Sequence, residues 1–225
     1  MFRTTIPRAT LGALLAGLAV AVTPVHAALF IDSANFGPVV ENFQSFDNLI
    51  TSGPQTLGGG VTLSSTIAST VGANVADLGD NGTWGINRFA GIGDSSNSVT
   101  IGDMTLALST PSYGVGALMN YYRTGTETIN VAALNSIGGI IEQHAVTINS
   151  PGEFNFTLFV GIAGLTQDVS ALRISGDGFV VDEIRLATAP VPEPGEFALM
   201  AAGLGVLGMY ARRRKRAEIG SSKLA

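Results

Sequence analysis

Residues 154–162 read Phe-Asn-Phe-Thr-Leu-Phe-Val-Gly-Ile, apolar at every second position: Phe154, Phe156, Leu158, Val160 and Ile162 share one parity, and Asn155, Thr157, Phe159 and Gly161 the other. A repeat of two is what a strand with one buried face requires, because successive side chains leave the pleat on opposite sides. Stretches of similar character are Val61 to Ile67, Val99 to Leu108, Tyr113 to Tyr122, Thr128 to Leu134, Ile140 to Ile148, Ala171 to Ile174 and Phe179 to Leu186. The separators are turn chemistry: Gly58-Gly59-Gly60, Gly79-Asp80-Asn81-Gly82, Gly138-Gly139, Ser150-Pro151-Gly152 and Gly176-Asp177-Gly178. Outside the two chain ends no stretch keeps a helical period, and no internal repeat is visible. About nine short strands at this spacing predict an all-β domain, an antiparallel β-sandwich wound as a jelly roll.

Charge divides the chain into three regions. Over all 225 residues, 12 Lys and Arg stand against 17 Asp and Glu, a net of −5. Residues 28–190 carry four Arg, no Lys and fourteen carboxylates, so the middle region alone is 4 − 14 = −10. A surface of that sign repels phosphate backbones, which excludes nucleic acid as its partner. No cysteine is present, which removes disulfides, thiol catalysis and Cys-ligated metal. Histidine occurs only at His26 and His144.

The N-terminal segment has the layout of an export signal. Arg3 and Arg8 precede a twelve-residue run of Leu, Ala, Gly and Val from Leu11 to Val22, and Pro24 breaks the run before Val25-His26-Ala27. Twelve apolar residues are too few to cross a hydrocarbon core of about 30 Å. Residues 1–27 are therefore expected to be a signal peptide removed by signal peptidase, leaving an exported domain over 28–189.

The C-terminal segment opens on a proline cluster, Pro190, Pro192 and Pro194, with Glu193 between the last two. Proline fixes φ and lacks a donor, so residues 190–196 are expected to form a stiff, accessible linker. Phe197 to Ala211 are fifteen uncharged residues, followed by Arg212, Arg213, Arg214, Lys215 and Arg216. As a helix the apolar run would be about 22 Å long, a marginal membrane span that relies on the flanking cations snorkelling. The positive string should stay cytoplasmic within the tail 212–225, placing the acidic domain across the membrane.

The order of Pro192-Glu193-Pro194, a short apolar helix and a terminal arginine cluster resembles the PEP-CTERM sorting tails of bacterial exported proteins. The resemblance is carried by VPEPGEFALMAAGLGVLGMYARRRKR, which begins at Val191. It implies that an exosortase, a membrane-embedded transpeptidase-like enzyme, cuts near Pro192-Glu193-Pro194 and delivers the domain to the cell surface or matrix. No LPxTG-type sortase string occurs, and a lipid-anchor tail would not normally end on such a basic string.

The middle region is also similar to the jelly-roll ectodomains of such proteins, which resemble carbohydrate-binding modules, through ENFQSFDNL from Glu41, GVGALMNYY from Gly114 and GFVVDEIRLATAPVPEP from Gly178. By strict alternation Val180, Asp182, Ile184 and Leu186 share a face, and a carboxylate among apolar residues must be paired, protonated or bound to a cation. The resemblance implies a structural Ca²⁺ held by Asp182, with Glu41 of the first strand as partner if the terminal strands are neighbours. A β-bulge at Asp182-Glu183 that turns both side chains outward is the competing expectation. Asp77, Asp80 and Asn81 supply hard oxygens without EF-hand spacing and read better as turn residues.

Aromatic rings stack on sugar C–H faces, so Trp84 in NGTWGINRF, with Arg88 and Tyr113, is the candidate sugar-binding set. Trp84 as a plain core or edge plug is the other reading. Tyr121 and Tyr122 point to opposite faces, which makes one of them core.

No catalytic constellation stands out. His144 lies in the strand-like IIEQHAVTI, no GxSxG string accompanies it, and Gly91-Ile92-Gly93 and Gly114-Val115-Gly116 lack the rest of a phosphate-binding fingerprint. The expected function is a non-catalytic, exported surface or matrix protein, anchored as a precursor and associated with exopolysaccharide. A carbohydrate-active hydrolase using paired carboxylates and a homotypic adhesin are the alternatives on the same fold.

Overall fold

The computed structural model describes residues 27–73, 88–93, 101–152, 158–191 and 200–209. Two antiparallel sheets are built from them. The larger runs, in spatial order, β1 (Ala27–Phe30), β12 (Leu158–Gly164), β9 (Gly114–Tyr121), β14 (Phe179–Ala187), β7 (Phe89–Ile92), β6 (Ser69–Ala73) and β3 (Leu49–Thr51), with β2 (Val39–Glu41) also paired to β14. The smaller runs β11 (Ile140–Ser150), β10 (Gly125–Leu134), β13 (Val169–Asp177), β8 (Ile101–Ser112), β5 (Val61–Ser65) and β4 (Gln55–Thr56). From β8 onward the chain changes sheet at every connection except β10 to β11. The fold is an antiparallel β-sandwich, with the winding that a jelly roll requires.

Fourteen strands are described where about nine were expected from periodicity. The additional ones are short and do not alternate. Ser69-Thr70-Val71-Gly72-Ala73 of β6 and Phe89-Ala90-Gly91-Ile92 of β7 are buried at every position, so a one-sided pattern has nothing to mark in them.

The inter-sheet core takes Phe43, Met119, Val160, Ile162, Phe179, Val181 and Ile184 from the larger sheet side, and Leu63, Met104, Leu106, Ile129, Ile148, Leu172 and Ile174 from the smaller. Each fully buried side chain of this size contributes about 1.5–3 kcal/mol by leaving water. In β12 the sequence pattern marks the right inward residues, Val160 and Ile162. The opposite parity is also covered: Phe159 and Ala163 join Phe30, Phe36, Ala187 and Val191 in a second cluster, with Phe36 and Phe159 rings 4.9 Å apart. The segment after β1 therefore lies over the outer side of the larger sheet.

Both ends of the domain meet on one residue. Ala27, 1% exposed, is in register with Gly164, and the Val191 amide donates to the Gly164 carbonyl at 2.9 Å. β1 thus begins one residue before the expected signal-peptide cut, and Val191, which the sequence places in the linker, is buried against the domain. Residues 200–209 form a helix with every described side chain exposed. Among the described residues no helix is long and apolar enough to cross a membrane. The rest of the expected helix, 197–199 and 210–211, lies outside the described residues, as do residues 1–26, Pro192, Glu193, Pro194 and Arg212 to Arg216.

Candidate functional site

The last strand carries a bulge where the sequence allowed one. Asp182 is in register with Leu118 of β9, and the next pair is Arg185 with Gly116, so β14 holds one extra residue. Glu183 takes it up at φ 47°, in the left-handed region. Phe179, Val181, Ile184 and Leu186 all pack on the inter-sheet core, a spacing of two, three and two. Val180 instead joins Ala73 and Phe89 in a separate cluster. Strict alternation across Val180, Asp182, Ile184 and Leu186 is therefore broken, because the inserted residue inverts the parity. Asp182 is nevertheless not turned out: it is 2% exposed and its Oδ1 accepts the Glu183 amide at 2.6 Å. Glu183 reaches back to Arg185 at 2.7 Å.

Glu41 lies in the second strand, not the first: β2 pairs with β14, with Glu41 in register with Ile184, while the first strand, β1, pairs with β12. The Glu41 carboxylate is buried and accepts three main-chain amides: Asn42 and Phe43 on Oε1, Gly58 on Oε2. Gly58 opens the turn between β4 and β5, so this one side chain fastens the larger sheet to the edge of the smaller. The two buried carboxylates are turned to different sides: Asp182 is in register with Leu118, which packs on the outer clusters, whereas Glu41 reaches Gly58 at the edge of the smaller sheet. Among the described residues no group of three or more Asp, Glu or His stands close enough to hold a metal.

The sugar-binding candidates do not converge. Trp84 lies outside the described residues, as do Asp77, Asp80 and Asn81. Arg88 donates to Asp47 Oδ1 at 2.6 Å and to the Gly72 carbonyl at 2.9 Å, which fastens the loop before β3 onto β6. Tyr113 sits between β8 and β9, packed on the Phe30, Phe36 and Phe159 cluster, with its amide on the Ala187 carbonyl. The two residues have no partner in common. Tyr121 lies in the inter-sheet core at 2% exposure, and Tyr122 lies against Phe89 outside it. Burial, followed by the negative charges of Glu127 and Asp177, pushes the Tyr121 pKa well above the usual tyrosine range. His144 stands in β11 with Nε2 3.0 Å from Glu142 Oε1, a strand-face pair on the sheet edge.

A concavity that periodicity did not reveal lies on the outer face of the smaller sheet. It encloses about 380 Å³ between the ends of β8 and β13 and the turn from β10 to β11. Thr105, Ser109, Asn135, Ser136 and Ser170 offer hydroxyl and amide groups, over apolar Ala107, Leu134 and Ala171. The lining contains no charged and no aromatic side chain. Ala107, Leu134 and Ala171, at outward positions of three strands, form the floor, and in sequence each reads only as an unremarkable solvent-side position. A wall of neutral donors and acceptors over an aliphatic floor suits an uncharged polar ligand better than an ion.

The solved structures similar to the chain include a carbohydrate-binding module and a DUF4465 family protein. TmCBM61, determined in complex with β-1,4-galactotriose, is 15% identical, with 56% of this chain and 81% of that one covered at a TM-score of 0.32. A DUF4465 family protein from Bacteroides caccae is 12% identical, with 76% and 97% covered at a TM-score of 0.36. No curated protein matches. At the C-terminus, where the last strand has given way to the proline cluster, the chain carries the PEP-CTERM protein-sorting motif over residues 190–215.

Proposed function

We propose that this chain is an exported, non-catalytic surface or matrix protein, held in the membrane as a precursor by residues 197–211 and cut by an exosortase-type enzyme at Pro192-Glu193-Pro194. The sorting motif at 190–215 carries the reading. The buried end of the domain at Val191 supports it, since the substrate peptide then begins where the folded domain stops. The neutral concavity supports polysaccharide as the partner. Intact-mass measurement on protein recovered from the producing cell should give a species that begins near Ala28 and ends between Pro192 and Gly195. A mature form still containing Phe197 to Arg216 would sink the reading. Pro192→Ala together with Pro194→Ala should leave the precursor in the membrane fraction.

A structural Ca²⁺ on Asp182 belongs to the same proposal, supported by the burial of that carboxylate; Glu41, turned to the smaller sheet and held by three main-chain amides, is not its partner. The mature protein should then melt several degrees lower in EDTA than in millimolar Ca²⁺, as expected for a ligand that binds only the folded state, and Asp182→Asn should abolish the difference. Equal melting in both would overturn the Ca²⁺ site.

A further inference from the structure

The sandwich has two unlike ends. Ser112 is in register with Val169, Ala187 with Gly114, Ala163 with Gly114 and Leu134 with Ala171, so the turns after β8, β10, β12 and β14 gather at one end. That is also the end where Ala27 enters and Val191 leaves. In its turns, residues 109–113, 135–139, 164–168 and 188–191, Asp168 is the one side chain charged at neutral pH, with Glu142 of β11 and Arg185 of β14 two residues inside the strand ends. The same turns expose Ile137 (90%) and Leu165 (42%), with Ile140 (52%) at the start of β11 beside them. At the far end lie Asp103, Arg123, Glu127 and Asp177; exposed Ile101 stands among these charges, and exposed Ile50 of β3 lies level with Val180 through β6 and β7.

The tether is short. Eight residues, 192–199, separate Val191 from Met200, the first described residue of the helix. Nine peptide steps at 3.3–3.6 Å reach at most about 30 Å, so the domain has no room to drift far from wherever that helix is embedded. A domain of net −10 held that close to an anionic leaflet is repelled unless its charges point away. The nine residues of β14 separate the two ends by about 30 Å, roughly four screening lengths at physiological salt. Only one of the two orientations keeps the far-end carboxylates beyond the field while offering aliphatic side chains to the interface.

We propose that in the tethered precursor the end bearing Ile137, Ile140 and Leu165 rests on the lipid headgroup surface, which holds Pro192-Glu193-Pro194 at the depth of a membrane-embedded enzyme. The inference rests on the anchored-precursor reading and goes beyond it by assigning the domain a contact face. Cleavage of the tail frees the face, whose few aliphatic groups do not retain the protein on lipid unaided.

The test uses the full-length precursor in vesicles of phosphatidylcholine and phosphatidylglycerol containing a quencher-labelled lipid. The chain has no cysteine, so single fluorophores can be placed at Ser136→Cys, Thr124→Cys or Met209→Cys. Quenching at 209 reports the anchor, at 136 the proposed contact face and at 124 the far end. Expected are strong quenching at 209, several-fold more at 136 than at 124, and a fall of 136 to the level of 124 when Ile137→Asp and Leu165→Asp are added, with 209 unchanged. Equal quenching at 136 and 124 beside a quenched 209 overturns the contact face alone. An unquenched 209 overturns the anchored reading, and the contact face with it.

Discussion

Ser150, at the end of β11, donates its hydroxyl to Asn120 Oδ1 on β9 at 2.7 Å, a side-chain hydrogen bond between the two sheets that is buried at 1% and 0% exposure. The same oxygen accepts the Tyr121 amide at 2.8 Å. Ser150→Ala removes one donor and should cost about 1 kcal/mol. Asn120→Ala strips an acceptor from two buried donors and should cost about 2–3 kcal/mol. Each kcal/mol lowers the melting temperature of a domain this size by about 2–4 °C, so calorimetry separates the variants. Equal melting of the two would mean that the acceptor is not shared.

Glu41 should behave as a structural anion. Glu41→Gln keeps shape and size but replaces one acceptor oxygen with a donor that faces a main-chain N–H. A loss of about 1.5–3 kcal/mol is expected from the urea midpoint at unchanged m-value. A variant as stable as the parent would show that the three amides find other acceptors.

Tyr121 sets an alkaline limit on stability. The unfolded chain releases a tyrosine proton near pH 10, whereas burial and the nearby Glu127 and Asp177 make the folded state hold it to higher pH. Above pH 10 the folded state therefore binds more protons than the unfolded one, and stability falls as pH rises. The stabilisation is fully present below that point. Tyr121→Phe should flatten the fall. A spectrophotometric titration of the folded protein should show a tyrosine that ionises well above pH 10 and is absent from Tyr121→Phe.

Gly161 should tolerate no side chain. A Cβ built there would lie 2.5 Å from Phe36 Cζ and 3.0 Å from Phe159 Cε1, inside the aromatic cluster that covers β12. Gly161→Ala is expected to cost about 1–3 kcal/mol through displaced rings. Gly139→Ala, which meets only the side chain of Asn135, should cost less, and the ratio of the two melting shifts checks the claim.

What was legible in the sequence was what alternation encodes. Val160 and Ile162 of β12 face the core as their parity requires, and β9, β11 and β14 lie within a few residues of their expected bounds. Strands buried on both faces, β6 and β7, carry no alternation and were missed for that reason. The parity of Asp182 was readable only up to Glu183, because one inserted residue inverts every position beyond it. Glu41 was identifiable as a carboxylate of interest, but its partners are main-chain amides one, two and seventeen residues away, and amides have no sequence identity. The concavity over Ala107, Leu134 and Ala171 belongs to three strands distant in sequence, where outward residues mark nothing until the strands are side by side.

The position of β14 also governs how the protein carries load. It is bonded along one edge to β9 and along the other to β7 and then β2, and the chain leaves its end toward the tail. A pull on the tail against material gripping the opposite end acts along this interior strand, so the ladders on both edges must shear together instead of opening rung by rung. The peripheral attachment, Val191 on Gly164, would give first and lengthen the tail by a few residues before any sheet is strained. The interior strand that leads to the tail is, by the same geometry, a mechanically resistant link.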